Sequence, residues 1–239
     1  MIMPSSLDQV KKNKKGLLLI DKPEGWTSFD VVAKLRRILG VKKIGHAGTL
    51  DPLATGLLIV LVSKEWTQLQ DQFLKLDKEY LCEAQLGIET DSYDITGKLV
   101  NQLIGKSVKV SQQQLVTVLD KFRGEIKQTV PAFSAVKVKG QKLYRASHRG
   151  KINTALLPEK LVHIKELELL SFKNSKFKIK TLVSSGTYIR SLVHDVGQEL
   201  GVGAVVLSLR RTKIGELSLS SPHLSGIFTN VKHSRCPLH

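Results

Sequence analysis

Six consecutive aliphatic residues, Leu57-Leu58-Ile59-Val60-Leu61-Val62, follow directly on the stretch Gly45-His46-Ala47-Gly48-Thr49-Leu50-Asp51-Pro52-Leu53-Ala54-Thr55-Gly56. An apolar run of that length reads as a buried strand, a rigid base beneath whatever precedes it. What precedes it is a turn-rich segment with three glycines, which admit left-handed backbone, and Pro52, which pushes Asp51 towards an extended conformation and away from helix. The chain is therefore expected to hold one carboxylate, Asp51, in a shaped loop on a buried strand.

The flanking pattern alternates strands and helices. Gly16-Leu17-Leu18-Leu19-Ile20 reads as a second buried strand that ends in the turn Asp21-Lys22-Pro23-Glu24-Gly25. Thr27 with Asp30 three residues on forms a capping box for a helix with Val31, Val32, Leu35, Ile38 and Leu39 on one face, Lys34, Arg36 and Arg37 on the other, and Gly40 as its stop. Tyr80, Cys82, Ala84 and Leu86 alternate as in a half-buried strand, and Thr90 to Gly97 forms a polar loop. Ser111 and Gln114 cap a further helix bearing Leu115, Val118, Leu119 and Phe122, which ends at Gly124. From Lys127 to Lys151 both periods are lost while basic residues accumulate around Pro131, Gly140, Tyr144 and His148, the pattern of a basic insertion that suits a finger gripping a phosphate backbone, the alternative being a tolerated surface loop. A strand over Phe177 to Val183 leads to a helix that starts at Thr187-Tyr188, repeats Ile189, Leu192, Val193, Val196 and Leu200, and carries Arg190 on its flank. A last apolar run, Ala204 to Leu209, ends at Arg210-Arg211.

Composition narrows the function. With 239 residues, 41% of them apolar, the chain can bury a large core, in one compact domain or in two lobes. Thirty-seven Lys and Arg against 21 Asp and Glu give a net charge of +16, an excess that a nucleic acid partner explains and fold stability does not require. Cys82 and Cys236 supply neither a disulfide framework nor usual zinc spacing, which fits a reducing cytoplasm. Phosphate-binding glycine loops of the Gly-x-x-x-x-Gly-Lys-Thr type, dinucleotide fingerprints and His-Glu-x-x-His are absent from the sequence. Taken singly, Asp51 reads equally well as a turn former, Tyr80 as a strand aromatic, Arg190 as a structural ion-pair partner and His46 as an ordinary loop histidine.

Together these stretches resemble the bacterial tRNA pseudouridine 55 synthases, the TruB family. The resemblance is carried by the Gly45 to Gly56 segment, Leu19-Ile20-Asp21-Lys22-Pro23 with Thr27-Ser28, Lys78-Glu79-Tyr80, Val130-Pro131 with Ser134-Ala135-Val136-Lys137, and Gly186-Thr187-Tyr188-Ile189-Arg190, all in the family's order between about Gly16 and Arg211. It implies an α+β chain with the pseudouridine synthase fold, a largely antiparallel central mixed sheet flanked by helices, with an RNA-gripping thumb at about 127–151. It further implies a basic N-terminal tail over 1–15, a catalytic domain over 16–222 and a C-terminal tail over 223–239. The implied activity is isomerisation of a uridine in the tRNA T-arm to pseudouridine, with the base flipped out of its stack.

Asp51 would be the nucleophile, attacking ribose C1′ or base C6 or abstracting the C2′ proton. Tyr80 would stack on the flipped base and move the proton from C5, and Arg190 would pair with Asp51. Tyr188 and Leu209 would line the pocket, and His46 would occupy the vacated stack. Neither metal nor organic cofactor is implied, the partner is tRNA rather than membrane, and a cytoplasmic monomer is expected. Two departures stand out. The thumb reads Pro131-Ala132-Phe133-Ser134-Ala135 where the family has Pro-Pro-x-Tyr-Ser-Ala, and too few residues follow Pro222 for the family's small C-terminal RNA-binding domain. The alternatives are a non-catalytic tRNA-folding chaperone and a related synthase acting on another RNA.

Overall fold

Strand β3 (Thr55–Val62) holds the aliphatic run, and seven of its eight residues are buried. It pairs antiparallel along its length with β1 (Gly16–Lys22), in a register that sets Leu19 opposite Ile59. Its other edge takes β2 (Ile44–Ala47), antiparallel, and then the end of β12 (Ala204–Ile214), parallel at Arg210 and Arg211. Side chains of neighbouring strand residues point to opposite faces, and here both faces are covered. Leu18, Ile20, Leu58, Val60 and Val62 pack under α2 (Ser28–Leu39) with its Val31, Val32, Leu35 and Leu39, while Leu17, Leu19, Leu57, Ile59 and Leu61 pack with Phe73 of α4 (Gln70–Leu74). Burial on both faces is why β3 shows no polar alternation, and each such aliphatic side chain contributes about 1.5–3 kcal/mol on burial. The structure is a computed structural model, and it describes residues 5–103, 108–134, 136–138, 141–142 and 157–219.

The chain forms two compact units, Met1–Leu76 with Arg210–His239 and Asp77–Leu209. In the first, the Thr27 and Asp30 capping box and the Gly40 C-cap of α2 form as the sequence predicts. Ile38, assigned to the buried face, is instead partly exposed. Within the stretch read as a basic N-terminal tail over 1–15, residues Leu7–Asn13 form helix α1, opened by a Ser6 and Gln9 capping box and anchored by the fully buried Val10. Lys14 then donates to the Leu39 carbonyl at 2.8 Å. Between β3 and α4 lies the single-turn α3 (Lys64–Thr67), and β13 (Leu217–Ser218) pairs with β12.

In the second unit β12 is followed in strand order by β4 (Lys78–Leu86), β11 (Lys176–Val183), β10 (Glu159–Lys173) and β7 (Gly124–Thr129). The pairings of β4 with β11, β11 with β10 and β10 with β7 are antiparallel, so the expected α+β class with a largely antiparallel mixed sheet is what the chain forms. A small hairpin of β5 (Ile88–Thr90) and β6 (Leu99–Gln102) brackets the polar loop. Helix α5 (Gln112–Lys121) carries the expected Ser111 box and stops three residues before Gly124, which opens β7. Helix α6 (Ile189–Glu199) packs against α5, β4 and β7.

The irregular stretch expected from Lys127 begins later than the pattern suggested. Lys127 to Thr129 complete β7, with Gln128 facing inward where an apolar residue would have shown the strand period. Within the stretch, β8 (Lys137–Val138) pairs antiparallel with β9 (Gln141–Lys142). Residues 135, 139–140 and 143–151 of the expected thumb, and the 223–239 tail, lie outside the described residues.

Candidate active site

The Asp51 loop sits in the first unit, and its backbone is bonded on both sides of the carboxylate. Ser28, the first residue of α2, accepts from the Leu50 amide at 2.9 Å and donates to the Leu50 carbonyl at 3.2 Å. One residue after Asp51, the Pro52 carbonyl accepts from the Gly25 amide at 2.8 Å and from the Lys22 ammonium at 3.3 Å. The Ala54 amide returns to the Asp51 carbonyl at 3.0 Å, which closes a turn. Before Asp51, the Gly48 carbonyl accepts from Arg211 at 2.9 Å, and Gly48 itself is left-handed at φ +85°. The sequence-predicted shaped loop on a buried strand is therefore present, with a bond partner to every second residue around its carboxylate.

Two cations, Lys22 and Arg211, are buried beneath this loop. Lys22 has no exposed surface, and its ammonium also donates to Pro23 and Trp26 carbonyls at 2.9 and 2.7 Å. Burial lowers its pKa to about 8 against the opposing pull of the Asp51 carboxylate. His46 lies on β2, opposite Val60, and is half-buried. Burial, and after it the Arg211 cation, lowers its pKa from the ordinary histidine value, and its Nδ1 is buried without a hydrogen-bond partner among the described residues. The imidazole is thus uncharged at neutral pH, which suits stacking better than acid-base work.

The second unit holds Tyr80, Tyr188, Arg190 and Leu209. Tyr80 is buried on β4 opposite Thr181, and Leu209 is buried on β12. Arg190, 4% exposed, is the second residue of α6. Its Nη1 donates to the Ser92 carbonyl at 2.6 Å, its Nη2 to the Phe133 carbonyl at 2.9 Å, and Nη1 lies 3.7 Å from Asp94 Oδ2. Asp94 in turn accepts through Oδ1 from the Thr96 amide at 3.0 Å, the Thr96 hydroxyl at 2.5 Å and the Ser92 hydroxyl at 3.0 Å. A planar guanidinium suits several acceptors at fixed angles, so it ties the polar 90–97 loop and the start of the thumb to α6. That loop is further docked by Tyr93, left-handed at φ +64°, whose ring stacks on His194 at 3.9 Å, and by reciprocal backbone bonds with Val206.

Tyr188 takes the N-cap position of α6, where its own side chain provides no cap. Gln128 bonds both backbone groups of Tyr188: its side-chain oxygen accepts from the Tyr188 amide at 2.7 Å, and its nitrogen donates at 3.0 Å to the Tyr188 carbonyl, which also accepts from the Leu192 amide. Sequence reasoning missed Gln128, Asp94, Ser28 and Arg211. Asp94 sat in a recognised polar loop, but nothing in the local pattern links it to Arg190. Gln128 gives no signal at all, since an isolated glutamine between Lys127 and Thr129 reads as exposed.

The family model for the N-terminal domain of TruB family pseudouridylate synthases matches residues 36–189, and that for the tRNA pseudouridylate synthase B C-terminal domain matches 190–225. The tRNA pseudouridine synthase B of Fusobacterium nucleatum is 45% identical over 205 residues, 86% of this chain and 69% of that protein. Those of Protochlamydia amoebophila and Chlamydia pneumoniae are 44% and 42% identical, covering 90% and 89% of this chain and 80% and 88% of theirs. Among solved structures, a Cbf5-Nop10-Gar1 complex matches at 30% identity with TM-score 0.65, over 87% of this chain and 52% of that one. An H/ACA RNP bound to a substrate RNA containing 2'-deoxyuridine matches at 27% with TM-score 0.63, over 89% and 51%, so this chain spans about half the length of those solved chains. The fold is the pseudouridine synthase fold, and the chain belongs to the TruB family of pseudouridylate synthases, isomerases of uridine in RNA.

Proposed function

We propose that this chain converts uridine 55 in the T-arm of tRNA to pseudouridine, as a cytoplasmic monomer without metal or organic cofactor. The observation that carries the reading is the Asp51 loop, whose backbone is bonded at Gly48, Leu50 and Pro52 so that one carboxylate is presented in one geometry. Such pre-organisation is what a nucleophile needs, because misplacement by about 1 Å costs on the order of 100-fold in rate. The relatives from Fusobacterium, Protochlamydia and Chlamydia are named as synthases of this kind, which supports tRNA as the substrate.

In this reading Asp51 engages the target nucleoside, the N1–C1′ bond breaks, the base turns, and C5 joins C1′. The proton leaves C5 and N1 takes one up, so the reaction is redox-neutral. Tyr80 stacks on the flipped base and moves the C5 proton, Arg190 pairs with Asp51, and Tyr188 and Leu209 line the pocket. Uncharged His46 fills the gap the base leaves, offsetting an extrusion cost of a few kcal/mol. The basic chain supplies phosphate contacts, and recognition is of the arm's folded shape.

The test is to incubate the purified protein with an unmodified tRNA transcript and map pseudouridine by chemical probing. Product at position 55, absent when that uridine is replaced by cytidine, supports the reading. Product at another position, with none at 55, contradicts it.

A further inference from the structure

Arg211 is among the largest fully enclosed side chains of the protein, 1% exposed, and the roles above make no use of it. It stands on β12 beside Gly56 of β3. Its Nε donates to the Leu57 carbonyl at 2.7 Å and its Nη2 to the Gly48 carbonyl at 2.9 Å, so one guanidinium holds both the entrance and the exit of the segment that carries Asp51. Among the described residues no carboxylate is paired with it. A cation is costly to bury, and this one is spent on two carbonyl groups of a single loop.

The loop is shaped to admit it. A Cβ on Gly48 would lie 3.3 Å from Nη1, and a Cβ on Gly56 would overlap the Arg211 backbone; both glycines are left-handed, at φ +85° and +96°. Gly48 thus leaves room for the guanidinium, and Gly56 for the close approach of the residue 211 backbone. Its planar fork fixes two acceptors at once, which a lysine ammonium at the same site cannot reproduce. The same cation, second to burial, keeps His46 uncharged.

We infer that Arg211 is a positioning residue for the isomerisation: by clamping Gly48 to Leu57 it sets the direction of the Asp51 carboxylate while touching neither substrate nor reacting atoms. The inference rests on the reading of Asp51 as the group that engages the uridine. It extends that reading, because the clamp can be tested without turnover.

The test uses the full chain as Arg211→Lys, Arg211→Met and Gly48→Ala, the last displacing the fork while keeping its charge. Amide hydrogen exchange over residues 48–57 is followed by mass spectrometry, alongside single-turnover rates and affinity for a T-arm stem-loop RNA, with Asp51→Asn in parallel. Exchange over 48–57 should quicken at least tenfold in all three variants while β1 and β4 stay protected as in the unaltered protein. Single-turnover rates should fall about 100-fold, least for lysine, at RNA affinity within about threefold. Unchanged exchange over 48–57 in any variant that retains the fold overturns the clamp, as does an unchanged rate in Arg211→Met. If exchange quickens but Asp51→Asn turns over normally, the role given to Asp51 falls and takes the catalytic part of this inference with it.

Discussion

Asp195 is a carboxylate that the fold holds at some cost. It lies on α6, half-buried, and burial raises its pKa to about 6 from 3.8. A carboxyl whose folded pKa lies above its unfolded value favours the folded state fully below about pH 4, and that contribution disappears as the pH rises through 6. Asp195→Asn carries no charge at any pH, so its stability relative to the unaltered protein should increase between pH 4.5 and 7, by on the order of 1 kcal/mol after allowing for solvent screening. Urea unfolding at the two pH values measures this, and an equal difference at both would contradict it. The residues that chemistry would use are a different case. Asp51 was legible from its own neighbours, since Gly48, Pro52 and Gly56 impose a loop wherever they fall. Arg190 was legible as a helix-flank cation, but two of its acceptors are the Ser92 and Phe133 carbonyls, and carbonyls leave no mark in a sequence.

Elements were readable wherever burial was one-sided or complete. β3 and β1 are continuous aliphatic runs because both faces are covered, and α2 announced both its ends through Thr27 and Gly40. α1 was missed because the basic run Lys11 to Lys15, which overlaps its last turn and continues past its end, outweighed one buried residue, Val10, and one capping box. β6 was missed because all four of its residues are exposed, so no alternation exists to be read. At β7 the inward Gln128 broke the pattern, and that residue joins two elements: 1% exposed, it bonds both backbone groups of Tyr188 at the start of α6. Gln128→Leu preserves approximate volume and takes the Gln128 acceptor away from the Tyr188 amide, while the Tyr188 carbonyl keeps the Leu192 amide, a loss that costs about 1–3 kcal/mol. Urea unfolding should show a loss of that order, with faster exchange at the first turn of α6. A variant as stable as the unaltered protein would mean that the Tyr188 backbone finds other partners.

The molecule as a whole divides differently by family and by packing. The two family models meet between Ile189 and Arg190, inside the start of α6, whereas the compact units meet after Leu76 and after Leu209. The chain therefore enters the second unit by one crossing and returns by β12, which brings Arg210 and Arg211 back beside Thr55 and Gly56. The charge of +16 is a property of the entire chain, and its expected use is phosphate neutralisation. Each neutralised phosphate contributes roughly −0.7 to −0.9 to the slope of log affinity against log salt, so tRNA binding should show a slope of about −3 or steeper. A slope near zero would mean that the charge serves something other than the RNA backbone. The central claim is that a carboxylate fixed in the 48–57 loop carries out the isomerisation. The most direct measurement compares single-turnover pseudouridine formation and tRNA binding for the unaltered protein and Asp51→Asn. Asp51→Asn should form no detectable product at unchanged affinity; product formed at the unaltered rate would contradict a catalytic role for the carboxylate.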